Sequence, residues 1–184
     1  MGFAVLADLK NQLNIPSSDT SNDAELTDYL NASNEVAEAL VGPSADTTFT
    51  ELYETLNGNI IVMRRPLILV TSVTPMNGSQ LGTVLPSTAY LVDKDRGGLT
   101  IVSGAMGTYT VVYHAGWAAI PARAKLGQLI VAQHLWRTQR GGMVPSVVSD
   151  EQLTMIPGLG FAIPNRAAEL FASLSGPSMV PGIA

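Results

Sequence analysis

Few residues in this chain are of the kinds that do chemistry, and their spacing does not bring them together. His114 and His134 are the only two histidines among 184 residues, and cysteine is absent. Without thiols the chain can form no disulfide, no thiolate metal centre and no cysteine nucleophile. His114 ends a strand-like run and His134 sits mid-helix; neither H-E-x-x-H, nor G-x-S-x-G, nor a paired-carboxylate motif accompanies them. A lone histidine beside an apolar face is ordinarily a structural residue. Asp93-Lys94-Asp95-Arg96-Gly97-Gly98 opens like a calcium loop. Its twelfth position, however, is Gly104, where a bidentate glutamate is required, so the stretch reads as a hairpin turn. Gly158-Leu159-Gly160 lacks the third glycine and the preceding strand of a nucleotide fingerprint, and Gly141-Gly142 has no phosphate-loop context. The sequence predicts no hydrolase, nuclease or ATPase, and no metal or cofactor.

What must position these residues is set by composition and charge. Hydrophobic residues make up 46% of the chain and charged ones only 14%, a low charge content that leaves apolar surface for something to cover. The longest apolar runs, such as Ile60–Met63 and Leu67–Val70, are strand-sized, well short of the ~18 residues that span a bilayer, and no signal-peptide pattern opens the chain. No membrane role is expected. The net charge of −5 conceals a division. Residues 1–54 hold ten carboxylates against Lys10 alone, while the remainder holds five against nine Lys and Arg. The first part would repel phosphates, and it could face the basic part of another copy.

Periodicity places an α+β fold. A helix over about 4–13 (Val5, Leu6, Leu9, Leu13) is stopped by Pro16. A second over about 23–41 starts at an Asn22/Glu25 capping box and ends at Gly42-Pro43. Leu26, Tyr29, Leu30, Val36, Ala37 and Leu40 mark its buried side; Asp23, Asp28, Glu35 and Glu38 mark an acidic one. A third helix over about 121–140 starts at Pro121 and ends before Gly141. It is apolar on two sides: Ala122, Leu126, Leu129, Ile130 and Trp136 on one, Ala124, Val131 and Leu135 nearly opposite. The second side is free to belong to a neighbouring copy. Trp136 is expected in the core, and Arg137 and Arg140 complement the helix dipole. Between the second and third helices, residues 47–114 read as a small antiparallel or mixed β region. Residues 143–184 carry four charges and many Pro and Gly, too apolar for a solvated tail and too broken for a core. Apart from a short helix at 165–174 they read as an arm that docks on something, with folding back onto its own subunit as the alternative. The domains expected are thus a 1–142 core and a 143–184 arm.

Several stretches, in this order, resemble the head–tail connector (adaptor) proteins of long-tailed bacteriophages: LADLKNQLNIPSSDTSNDAELTDYLNASNEVAEAL, RRPLILVTSV, YLVDKDRGGLTIV, TYTVVYHAGWAAIPARAKLGQLIVAQHLWRTQRGG and IPGLGFAIPNRAAELF. The resemblance implies a small helical bundle with a β insertion and an extended C-terminal arm. It implies a homo-oligomeric ring, typically twelve copies, seated beneath the portal protein and joined on the tail side to a neck, stopper or terminator protein. The protein would be assembled in the host cytoplasm and would reside in the virion neck, with DNA passing through the ring without specific binding.

The doubly apolar helix, the charge division and the apolar arm then nominate interface residues: Trp117, Val131, Leu135, Arg137, Arg140, Ile156, Leu159, Phe161, Ile163 and Arg166. They also nominate Asp23, Asp28, Glu35 and Glu38 as a face lining the channel or pairing with a neighbour's cations. A tail-terminator or tail-completion ring subunit is the alternative within virions. A small ligand-binding module of a bacterial cell is the alternative outside them, separable by copurification with particles.

Overall fold

Two units of different character divide the chain, Met1–Val41 with Ile120–Ala184, and Gly42–Ala119. The computed structural model describes residues 2–139, 153–155 and 162–174. The class is mixed α+β.

The first unit is helical. Helix α1 spans Leu6–Leu13, α2 Asp23–Val41 and α3 Ala122–Gln139; a short antiparallel pair, β8 (Leu153–Met155) with β9 (Ala162–Pro164), leads into α4 (Asn165–Ala172). Helix α1 starts later than its apolar spacing predicts. Phe3 and Ala4 are buried but lie ahead of the helix: the Phe3 N–H donates to Asn34 Oδ1 (3.2 Å) and the Ala4 N–H to Gln128 Oε1 (2.7 Å). Asp8 reaches back to the Val5 N–H (3.0 Å) and fixes the true start. Asn14, in the left-handed conformation at φ 56°, stops the helix before Pro16 can. Pro121 likewise stands one residue outside α3, its carbonyl accepting the Lys125 N–H at 3.1 Å.

Ala4, Leu9, Leu26, Leu30, Leu129 and Ala132 form a core shared by α1, α2 and α3, with Trp136 packed at its margin. Trp136 is half-buried rather than enclosed, its ring edge-on to Tyr29 at 6.2 Å. Full burial was the sequence expectation; a position at the margin of the cluster makes Trp136→Ala milder. Its cost in a urea titration is expected to fall below the ~3–5 kcal/mol of a fully buried large side chain. The opposite side of α3 is covered by the same chain. A Cβ at Gly127 would lie 2.6 Å from a ring carbon of Phe171 in α4, so the glycine allows the close approach. Ala124 and Val131 on α3, and Ile163, Ala167 and Phe171 on the segment that returns, are all essentially solvent-free.

The second unit is two antiparallel sheets. Strands β1 (Thr47–Thr55), β7 (Gly107–Ala115), β3 (Leu67–Asn77) and β4 (Gln80–Leu81) form one sheet in that order; β2 (Asn59–Ile61), β6 (Gly98–Ile101) and β5 (Tyr90–Asp93) form the other. Strand β7 alternates as its sequence predicts, burying Tyr109, Val111, Tyr113 and Ala115. Ile60, Leu99 and Ile101 of the second sheet join that face in one core. The Asp93–Gly98 stretch is the hairpin turn expected, its Asp93 carboxylate accepting the Arg96 N–H at 3.2 Å. Gly116, at φ 137°, ends β7 where a side chain would strike the Ala45 carbonyl.

Candidate assembly surfaces

The acidic face of α2 divides into groups with different environments. Asp23 is half-buried and ion-paired with Lys10, which is itself buried and donates from Nζ to the Asp19 carbonyl at 2.8 Å. The one cation of the acidic third therefore pins the α1–α2 turn from inside. Asp28 and Glu35, two helical turns apart on one side of α2, are exposed; Glu38 is half-buried. Of the four, Asp28 and Glu35 present the most accessible charge.

The nominated interface residues also separate. Arg137 and Arg166 are exposed, Trp117 and Leu135 half-buried. Val131 and Ile163 have no accessible surface, because α4 and the strand before it cover that side of α3. Arg140, Ile156, Leu159 and Phe161 lie outside the described residues. So does most of the 143–184 segment; its described helix, α4, packs on its own chain.

Sequence reasoning missed two arrangements. The first is the buried polar pin of the helical unit. Gln128 is 1% exposed, and while its Oε1 accepts from Ala4 its Nε2 donates to the Leu30 carbonyl at 3.0 Å. Its place in a helical apolar pattern was the available signal. The second is a network inside the β unit. Glu51 of β1 accepts hydrogen bonds from the hydroxyls of Tyr53 and Tyr113, the latter at 2.6 Å. Those hydroxyls in turn accept the backbone N–H groups of Met63 (3.0 Å) and Arg64 (3.2 Å). Arg64 Nε lies 3.6 Å from the same carboxylate, and its guanidinium stacks 5.7 Å from the Phe49 ring centroid. Burial pushes the Glu51 carboxyl up, but the tyrosine hydrogen bonds and the Arg64 charge outweigh it and hold it below the ordinary glutamate value. Burial, then the bond to Glu51, raises both tyrosines.

Register brings one further set of polar side chains together. Thr48 pairs directly with His114, and His114 Nδ1 lies 2.8 Å from the Asp46 carboxylate. The order Asp46–His114–Thr48 imitates a triad, but Thr48 Oγ1 is 3.4 Å from Nε2, long for an activated nucleophile. The set lies on the surface with Asp46 and Thr48 exposed, and it ties the entry of β1 to the end of β7. Among the described residues no group of three or more His, Asp or Glu converges as a metal site.

No family model and no curated protein sequence matches the chain. Solved structures do. A chain in the neck of an empty GTA particle computed with C6 symmetry aligns with 97% of this chain and 92% of its own length, at TM-score 0.65 and 14% identity. A chain in the neck of a native GTA particle computed with C12 symmetry aligns over 96% and 91%, at TM-score 0.62 and 16% identity. A chain of the virion of a native gene transfer agent particle aligns over 97% and 92%, at TM-score 0.67 and 15% identity. The chain is thus similar in fold, across nearly its whole length, to chains from the neck and virion of gene transfer agent particles, in keeping with the resemblance to head–tail connectors.

Proposed function

We propose that this protein is a structural subunit of a virion neck: a head-to-tail connector ring beneath the portal, joining capsid to tail and forming part of the DNA conduit. The observation that carries the reading is a neck-chain fold matched over 97% of the sequence. Neck particles computed with C6 and C12 symmetry support a repeated, ring-forming subunit, and twelve copies is the proposed number. The role is structural, without enzymatic turnover. Asp28 and Glu35 supply exposed negative charge that lets a duplex slide, since basic side chains would hold it by releasing counterions. Arg137 and Arg166 are the accessible cations proposed to meet neighbouring subunits, and Ile156, Leu159 and Phe161 the apolar contacts to a neighbour or the portal.

Electron microscopy of the purified protein, alone and with particles lacking it, tests the reading. Rings and restored head–tail joining are expected. A protein that neither forms rings nor enters particles overturns it, as would salt-sensitive DNA binding at physiological ionic strength for the sliding wall.

A further inference from the structure

Two Asn-Gly pairs occur in this chain, Asn57-Gly58 and Asn77-Gly78, and each lies where one strand hands over to the next. Asparagine is a thermolabile residue, and a glycine after it leaves the following backbone nitrogen unshielded by any side chain. The side-chain amide carbon and that nitrogen belong to adjacent residues, so their reaction is intramolecular. What separates the two pairs is how firmly the fold restrains them. The first is held. Gly58 is buried, and its carbonyl accepts the Ile101 N–H at 2.7 Å. A Cβ there would lie 3.0 Å from the Gly104 Cα, so the backbones approach closely. Asn57 Oδ1 accepts the Asn59 N–H at 3.1 Å, and the Asn57 N–H reaches Thr55 Oγ1 at 3.4 Å. Turning the Asn57 carboxamide onto the Gly58 nitrogen breaks the bond to Asn59.

The second pair is open. Asn77 ends β3 and pairs with Gln80 across the two-residue turn Gly78-Ser79. Gly78 has φ 65°, and a Cβ there would meet nothing within 4 Å. Residues 77–81 are exposed except for none of their number, and β4 is two residues long, so little holds this hairpin against local opening. Among the described residues nothing bonds to the Gly78 N–H or to the Asn77 carboxamide. The surroundings make a change there consequential. Residues 67–92 contain no Asp, Glu, Lys, Arg or His, so a carboxylate at 77 becomes the one charge of that stretch. The turn also leads into the segment that covers the β3 edge, where the Gly82 N–H donates to the Pro75 carbonyl (2.8 Å) and the Leu85 N–H to the Val73 carbonyl (2.8 Å).

We propose that Asn77-Gly78 is a self-modifying site, converting with age to aspartate and isoaspartate while Asn57-Gly58 is protected by the fold. The Gly78 nitrogen gives its proton to solvent base and bonds to Asn77 Cγ. The Cγ–Nδ2 bond breaks, and Nδ2 takes up a proton and leaves as ammonia. Water then opens the succinimide at either carbonyl, giving aspartate or isoaspartate at position 77. Both put a negative charge on the hairpin that carries exposed Leu81. Isoaspartate also adds a methylene to the main chain, which moves Gln80 out of register with residue 77 and loosens the cover on the β3 edge. The site is independent of the neck reading.

Full-length protein, aged at mildly alkaline pH both folded and in urea, tests this by peptide mass spectrometry, with isoaspartyl methyltransferase labelling to tell isoaspartate from aspartate. In the folded protein Asn77 should convert about tenfold faster than Asn57, because opening the Asn57 turn loses a net hydrogen bond or two that the hairpin tip does not have. In urea the two rates should draw level. Asn77 surviving in the fold while the urea sample converts overturns the proposal, as does conversion of both residues at equal rates in the fold. In aged protein the Gly82 and Leu85 amides should exchange faster, and Asn77→Gln, whose longer side chain closes its ring far more slowly, should keep them slow. Amides that change with age to the same extent in Asn77→Gln overturn the link between this site and the sheet edge.

Discussion

Replacing Phe171 with alanine should destabilise the helical unit by about 3–5 kcal/mol, as for other fully buried aromatic side chains. The ring is 1% exposed and lies on Gly127, so its loss opens the side of α3 that Ala124 and Val131 share. The partner substitution gives a sharper test. Gly127→Ala alone adds a Cβ 2.6 Å from the ring, well inside contact distance, and is expected to cost about 1–3 kcal/mol by overpacking. That exceeds the ~1 kcal/mol that alanine gains over glycine within a helix. In the Phe171→Ala background the obstruction is gone, and the same change should stabilise by about that ~1 kcal/mol. The sign reversal is read from urea titrations followed at 222 nm in a double-mutant cycle. Additive effects would show that α4 does not rest on α3. The same contact predicts that a chain ended at Gly142 loses helical-unit stability, because it lacks the cover for that side of α3.

The elements legible in the sequence were those whose signals are local. Helices α2 and α4 announce themselves by apolar period and by caps or breakers, and β7 by strict alternation ending at Gly116. The helix expected from residue 4 overextends α1 because Val5 fits its period, yet the Phe3 and Ala4 N–H groups ahead of it are claimed by Asn34 and Gln128, distant residues no local pattern reveals. The two-sidedness of α3 was legible, but its occupant was not: an apolar side can be filled by a neighbour or by the chain's own later helix, and Phe171 decides it in three dimensions. The β region was legible as strands and not as two packed sheets, because β1 pairs with a strand about sixty residues later. For the same reason no local pattern marks Leu52 and Leu91 as exposed on the β unit. Nor does any spacing connect Glu51 to Tyr113 until β1 and β7 lie side by side.

Removing the Glu51 carboxylate should be the most damaging polar change in the β unit. Two tyrosine hydroxyls donate to it, Tyr113 is fully enclosed, and Tyr53 is nearly so. In Glu51→Ala each donor left unsatisfied costs about 1–3 kcal/mol. The hydroxyls also hold the Met63 and Arg64 N–H groups, so amide exchange of those two residues should accelerate; exchange rates unchanged from the parent would deny the network its anchoring role. Glu51→Gln keeps an acceptor and should cost less. The pH dependence carries an independent signature. Because the folded carboxyl titrates below its unfolded value, its contribution is complete above the unfolded glutamate value of about 4.3 and is lost as pH falls through the lower, folded one. Both tyrosines are raised in the fold, so their contribution is complete below the unfolded value of about 10 and fades as pH rises beyond it. Denaturation midpoints against pH should therefore decline at both ends. Glu51→Ala should flatten the acid limb, leaving the residue due to Asp8 and Asp19, whose carboxyls are also held low by hydrogen bonds involving Lys125 and Ser21. Tyr113→Phe should flatten the alkaline limb. An acid limb unchanged by Glu51→Ala would mean that the carboxylate is not what the two hydroxyls stabilise.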